Sequence, residues 1–229
     1  VIKLIPIKDE DDEHFQLKFI GTGALTNEFS LLEAQKEMLK FGKITAKINI
    51  FLKDLILETD SKKINKLLNK IEKYETITDR VEREVVEFLS KVSEGELSED
   101  ASIQIRGMLS IAGDLEDIGD IYFQMSKTLE RKKEGKIYFI PKQRNNILKM
   151  IENVDSAFST MVSNLEKGPT KVNVNEAIEK EKVINEFRDK LRNTHLKSVE
   201  KNDYSIQSGL IYSDLYSSLE KVGDHIINV

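Results

Sequence analysis

The chain has no cysteine and no tryptophan, and only 3 of its 229 residues are proline. The absence of cysteine excludes disulfide bonds and thiolate chemistry, and it fits a reducing compartment. Because there are only 11 glycines as well, few residues interrupt helices, which favours long helices over strands and turns. The net charge of -5 gives no basic footprint, so nucleic acid is not an expected partner. No segment approaches the run of about 18 apolar residues that a membrane-spanning helix needs.

Apolar residues recur at three- and four-residue steps from residue 28 onward, and this spacing predicts six long helices. Asp60, Ser98 and Ser205 stand where helices should begin, whereas Gly135 and Gly168 stand where helices should end. The helices form two sets of three. The predicted fold is therefore all-α, with two tandem three-helix bundles and a short irregular N-terminal segment. The predicted divisions are 1–27 (irregular segment), 28–136 (first repeat) and 137–229 (second repeat).

A six-residue motif occurs twice in the chain. Leu115–Asp120 reads LEDIGD, and Leu219–Asp224, which begins 104 residues later, reads LEKVGD. Each copy puts a glutamate and an aspartate four residues apart, on one helix face. Like charges at that spacing oppose helix formation by about 0.2–0.5 kcal/mol. Two copies at one register indicate an internal repeat, and a bound cation is one explanation for their charge.

The second helix of each repeat carries a polar pair that can face this motif. Helical rise places the pair and the motif level on neighbouring antiparallel helices, about 27–30 Å from the turn in the first repeat. We therefore expect four side chains to meet in each repeat. Such oxygen-rich sites suit iron, manganese, magnesium or calcium, with zinc as a further candidate. The predicted sets are Glu75, Asp79, Glu116 and Asp120 in the first repeat, and Glu181, Asn185, Glu220 and Asp224 in the second.

A purely structural interpretation explains the same pattern. Duplication alone shows the common ancestry of the two halves, and Gly119 and Gly223 can serve close helix packing instead of ligand access. His225 directly follows the second motif, but its counterpart is Ile121, so we do not predict it as a ligand. No nucleophile with a matched base is evident, and the lack of Glu-x-x-His pairs argues against di-iron oxygen chemistry.

The two motifs resemble the Leu-Glu-Arg-Ile-Gly-Asp signature of the PhoU family, and the resemblance spans residue 28 to the end of the chain. It implies a regulator of phosphate uptake and signalling, not an enzyme, built from two three-helix bundles with acidic motifs. It also implies multinuclear iron or zinc at the two sets of four residues given above. Asn185 replaces an expected Asp, and Asp117 and Lys221 replace the Arg of the signature. The second set is therefore the poorer ligand set.

Ala24–Asn27, leading into Leu32–Met38, looks like the beginning of the PhoU-like domain at the C-terminus of sodium/phosphate cotransporters. This resemblance implies a soluble domain at the cytoplasmic face of the inner membrane. Its implied partner is the membrane transporter domain of the same full-length chain, and a homodimer is a further expectation. The start at Val1 instead of Met fits a piece of a longer protein.

Three alternatives stay open at this point. The first is a free-standing PhoU protein that acts on a phosphate ABC transporter and its sensor kinase. The second is a metal-dependent enzyme built on a carboxylate bundle, which would need an open coordination position and a substrate pocket. The third is a helical interaction scaffold whose motifs are structural.

Overall fold

A computed structural model describes residues 27–229, with side chains from Phe29 onward. Within this range the chain is all-α, as predicted, and contains no strand. The prediction of an irregular segment before the first helix lies outside the described residues. No helix in the described part of the chain is both long and apolar enough to cross a lipid bilayer. The helices are α1 (Asn27–Leu57), α2 (Ser61–Ser93), α3 (Glu99–Glu134), α4 (Pro141–Lys167), α5 (Val174–Glu200) and α6 (Ile206–Asn228), with a 3₁₀ turn at Pro169–Lys171.

Side-chain caps explain where three of the helices begin. Asp60 accepts hydrogen bonds of 2.9 and 3.0 Å from the backbone N–H groups two and three residues ahead. Ser98 and Ser205 each accept one of 3.2 Å from the backbone N–H three residues ahead. Caps of this kind stabilise a helix by about 0.5–2 kcal/mol each. α4 begins with Pro141, whose missing N–H is not needed in a first helical turn. The predicted helix starts are thereby confirmed.

The six helices form two bundles that share one hydrophobic core. α1, α2 and α3 pack against one another, and α4 packs against α5 and α6, which also pack together. The bundles meet where α1 lies on α4 and α3 lies on α6. Buried apolar side chains continue through both bundles without a break. The tandem-bundle fold is confirmed, whereas the division of the chain into domains at residue 136 stays a prediction.

A buried polar contact links the two bundles. The Tyr122 hydroxyl on α3 donates a 2.8 Å hydrogen bond to Asn49 Oδ1 on α1. The Asn49 amide in turn donates a 3.2 Å hydrogen bond to the backbone carbonyl of Ile151 on α4. Burial raises the pKa of Tyr122 well above its usual value. Loss of either side chain would leave a buried polar group unpaired, at a cost of about 1–3 kcal/mol, so this contact holds the bundles in one register.

The glycine of the duplicated motif is a packing residue in both repeats. A Cβ atom at Gly119 of α3 would overlap the hydroxyl of Thr78 on α2. A Cβ atom at Gly223 of α6 would lie 3.0 Å from Ile184 Cδ1 on α5. Thr78 and Ile184 are themselves 106 residues apart, so the same contact occurs in both repeats. Here the structure favours the packing interpretation of these glycines.

We predict that Gly119→Ala lowers the free energy of unfolding by about 1–3 kcal/mol, because the new methyl group meets the fully buried, β-branched Thr78. Gly113→Ala in the same helix is the control. Apart from its chain neighbours and the backbone of its own helix, no heavy atom lies within 4 Å of the added carbon. Gly113→Ala should therefore stabilise the helix by roughly 0.5–1 kcal/mol. Urea denaturation followed by circular dichroism measures both. Equal effects of the two substitutions would show that Gly119 is not needed for close packing.

Candidate functional site

The structure brings together the four residues predicted for the first repeat. Glu75 and Asp79 lie on α2, and Glu116 and Asp120 lie on α3, at the partly exposed rim between the two helices. Their charges act on one another across the helix pair. Burial is the largest cause of the raised pKa of Glu75, Glu116 and Asp120. Asp120 adds to the rise for Glu75, and Asp79 adds to it for Glu116 and Asp120. The close approach of Gly119 to Thr78, which lie between these pairs, shows that the two pairs are level, as helical rise predicted.

Glu116 is the most perturbed carboxyl group in this cluster. Its pKa is raised to about 7. Burial is the largest cause of this rise, and the charges of Asp120, Asp117, Glu82 and Asp79 follow. Burial is also the first cause of the raised pKa of Asp120. A carboxyl group that is partly desolvated among other carboxylates is costly to ionise. The site therefore favours either a proton or another cation.

Counter-charge in the first set is sparse. Among the described residues, one ion pair involves these four carboxylates. It joins Arg83 to Asp79 at 2.9 Å, and both residues lie on α2. No three ligand oxygens of the four lie within 4.8 Å of one another. A metal ion bound here would therefore need side-chain rearrangement, or water molecules to complete its coordination. The ligand chemistry fits a hard cation, although the side chains are not drawn together as they stand.

The second set already contains a cation from the protein itself. Arg188 Nη2 on α5 lies 2.8 Å from Glu220 Oε1 on α6, and both side chains are largely buried. Asn185 donates a 3.3 Å hydrogen bond to Glu181, four residues before it on α5. The buried Oδ1 atom of Asn185 has no hydrogen-bond partner among the described residues. The charge of Asp224 raises the pKa of Glu220, after burial, and the charge of Arg188 opposes that rise.

Corresponding positions show why the two sets differ. At the 106-residue spacing of the second helices, Glu82 corresponds to Arg188. At the 104-residue spacing of the motifs, Asp117 corresponds to Lys221. Six carboxylates in the first repeat thus correspond to three carboxylates, two cations and one amide in the second. Arg188 lies outside the duplicated motif, so the motif alone gave no signal for it.

The structure reveals a further group that the sequence did not indicate. His225 Nδ1 on α6 lies 2.8 Å from Asp114 Oδ1 and 3.7 Å from Asp117 Oδ2, both on α3. Asn228 donates a 3.1 Å hydrogen bond to the same Asp114 oxygen. Among the described residues, this is the group in which three potential metal-ligand atoms lie within 4.8 Å of one another. Because 111 residues separate Asp114 from His225, no local spacing could predict it.

Comparison with known proteins adds sequence and fold evidence. Residues 147–229 match the model of the PhoU domain. The phosphate transport system regulatory protein PhoU from Streptococcus pneumoniae has a similar structure, with a TM-score of 0.72, 18% identity, and coverage of 88% of this chain and 92% of that one. PhoU from Pseudomonas aeruginosa is similar with a TM-score of 0.67, 16% identity, and coverage of 88% and 93%. Among curated protein sequences, none matches this chain.

We predict that the chelator-treated protein loses stability as the pH rises through about 7. The folded-state pKa of Glu116 lies above its usual value of 4.5, so the folded chain holds this proton more tightly than the unfolded chain does. The associated stability is complete below that usual value and is lost as the pH passes the folded value. Between about pH 5 and pH 8, the melting temperature of the wild type should fall about 1–3 °C further than that of Glu116→Gln.

Glu134→Gln, which removes an exposed carboxylate from the end of the same helix, is the control for this measurement. It should keep the pH dependence of the wild type. Identical pH profiles for the wild type and Glu116→Gln would contradict the raised pKa of Glu116.

Proposed function

We propose that this chain, whose residues 147–229 match the PhoU domain model, is a PhoU-type regulator that controls phosphate uptake through contacts with other proteins. The match over those residues, together with a six-helix fold shared across 88% of the chain, is the observation that supports this proposal. One of the two similar structures is that of a phosphate transport system regulatory protein. That the chain is a regulator and not an enzyme remains a prediction.

The carboxylate cluster of α2 and α3 is the site through which we expect this regulation to act. Its carboxylates are partly exposed, and they outnumber the cations beside them. A positive charge brought to such a cluster reduces the mutual repulsion and offsets part of the cost of desolvation. A cationic surface of a partner protein and a bound metal ion would have the same effect. The cluster therefore suits a contact whose strength depends on the local concentration of cations.

We further propose that Glu75, Asp79, Glu116 and Asp120 hold a metal ion, with iron or zinc as the first candidates. Carboxylate oxygens suit both metals, and the raised pKa of Glu116 marks a place where added positive charge is favourable. A bound cation would neutralise the cluster and offer open coordination positions to a partner. Glu181, Asn185, Glu220 and Asp224 fit a metal less well, because Arg188 already neutralises Glu220.

The more specific proposal is that the chain is the cytoplasmic domain of a sodium-dependent phosphate transporter. Its support is the resemblance of the sequence before and within α1 to the start of such domains. The alternative is a free-standing PhoU protein that acts on a phosphate ABC transporter and its sensor kinase. A membrane domain encoded upstream in the same reading frame would favour the first, and an independent gene beside ABC-transporter genes would favour the second.

Phosphate uptake in cells tests the regulatory function. In a strain lacking the gene, complementation with Glu116→Gln/Asp120→Asn should leave radiolabelled phosphate uptake changed several-fold from that with wild type, because the acidic contact is lost. Glu87→Gln/Glu134→Gln removes two exposed carboxylates from the same helices and should restore wild-type uptake. Uptake that is unaffected by deletion of the gene would contradict the proposed function.

Metal content tests the cation separately. Untagged wild-type protein should retain stoichiometric iron or zinc by mass spectrometry, and Glu116→Ala/Asp120→Ala should lose it. Glu82→Arg should lose it too, although all four proposed ligands stay, because it introduces the charge that Arg188 supplies in the second repeat. Glu220→Ala/Asp224→Ala should retain the metal.

Two outcomes would change this assignment without changing the proposed regulatory function. Loss of metal in His225→Gln, with retention in Glu82→Arg, would move the ion to the group formed by Asp114, Asp117 and His225. A folded, helical wild type that takes up no added metal would show that the metal proposal is wrong.

A further inference from the structure

A pocket of about 360 Å³ opens at one end of the first bundle, where α1 and α3 end and α2 and α4 begin. Four cationic side chains line it, three from the end of α3 and the turn that follows, and one from the first turns of α4. They are Lys132, Lys133, Lys136 and Arg144. The chain as a whole carries a net charge of -5, so this concentration of positive charge is local.

In the described part of the chain, none of these four cations forms an ion pair within 4.0 Å. The two acidic residues of the pocket, Glu58 and Glu130, contact other groups. One Glu58 oxygen accepts hydrogen bonds of 2.8 and 2.9 Å from the next two backbone N–H groups, and the other lies 3.7 Å from Lys63. Glu130 lies 3.5 Å from Lys127. The pocket therefore has an excess of positive charge.

Lys132 shows that this excess charge is partly sheltered from water. Its Nζ atom lies 4.4 Å from the centre of the Phe139 ring, and its side chain is half-buried. Burial first, and the charge of Arg144 second, lower the pKa of Lys132. The two cations thus repel one another in a partly desolvated place, and an anion bound between them would remove that repulsion.

The backbone at Lys136 gives an independent indication. This residue has φ of 51°, in the left-handed region that glycine or asparagine usually occupies after a helix. Its N–H donates a 3.0 Å hydrogen bond to the carbonyl of Lys133, and the N–H of Ile137 donates one of 3.0 Å to the carbonyl of Lys132. The equivalent left-handed residue after α5 is Asn202, with φ of 55°. A lysine at this turn is conformationally unfavourable, which is consistent with a role for its charge.

We propose that this pocket binds a phosphate group, either that of a free phosphate compound or that of the headgroup of an anionic lipid. The planar guanidinium of Arg144 matches a phosphate with two parallel hydrogen bonds, and the lysine ammonium groups supply point charges around it. The site is separate from the carboxylates of α2 and α3, and its existence does not rest on the proposed regulatory function.

Binding of pyrophosphate, followed by calorimetry in the presence of a chelator, tests the free form. Flotation with phosphatidylcholine vesicles, with and without phosphatidylglycerol, tests the lipid form. Wild-type protein should bind at least one of the two probes. Lys136→Gly/Arg144→Gln should weaken that binding by at least about tenfold, because two charge-assisted contacts are removed. The glycine relieves the left-handed strain and Arg144 is exposed, so this variant should fold.

Lys142→Gln/Lys171→Gln is the matched control, since it removes the same net charge from exposed residues that do not line the pocket. It should bind like the wild type. Binding of pyrophosphate alone would identify a free phosphate compound, and binding of phosphatidylglycerol vesicles alone would identify a lipid headgroup. Absence of binding to either probe, or equal losses in the pocket and control variants, would overturn the proposal.

Discussion

The close approach of the second and third helices in each repeat is the constraint on which the site depends. Gly119 lets α3 lie against Thr78, and Gly223 lets α6 lie against Ile184. The acidic residues of the motif flank these glycines, so close packing brings them up to the polar side chains of the neighbouring helix. Packing and charge concentration are thus two effects of one contact. The apolar side chains buried beneath the rim offset its unfavourable electrostatics.

The two repeats resolve the resulting charge differently. In the second, the guanidinium of Arg188 provides a permanent counter-ion for Glu220. In the first, Glu82 occupies the corresponding position and adds to the repulsion that raises the pKa of Glu116. The residues that match the PhoU domain model, 147–229, include the acidic set in which Arg188 pairs with Glu220.

Most of the fold could be predicted, because helix periodicity and capping are local properties of the sequence. Asp60 and Ser98 serve as N-caps where their side chains and positions indicated. The level placement of the first acidic set could also be predicted from the sequence, because it depends only on the rise per residue and on a short turn between the helices. The pairing of His225 with Asp114 did not follow, because it depends on how α3 and α6 pack between the bundles. The basic pocket likewise combines the ends of several helices, and no single segment marks it.

The hydrogen bonds that join Tyr122, Asn49 and Ile151 have a consequence for what counts as a unit in this molecule. α4 belongs to the stretch that matches the PhoU domain, yet its buried face rests on α1, which lies outside that stretch. Without α1 and α3, the matched region would expose apolar side chains, and the Ile151 carbonyl would lose its hydrogen bond from Asn49. The stretch that matches the PhoU domain is therefore shorter than the packed unit to which it belongs. A ligand that binds only the folded protein, at either end of the molecule, would therefore stabilise a core that both bundles share.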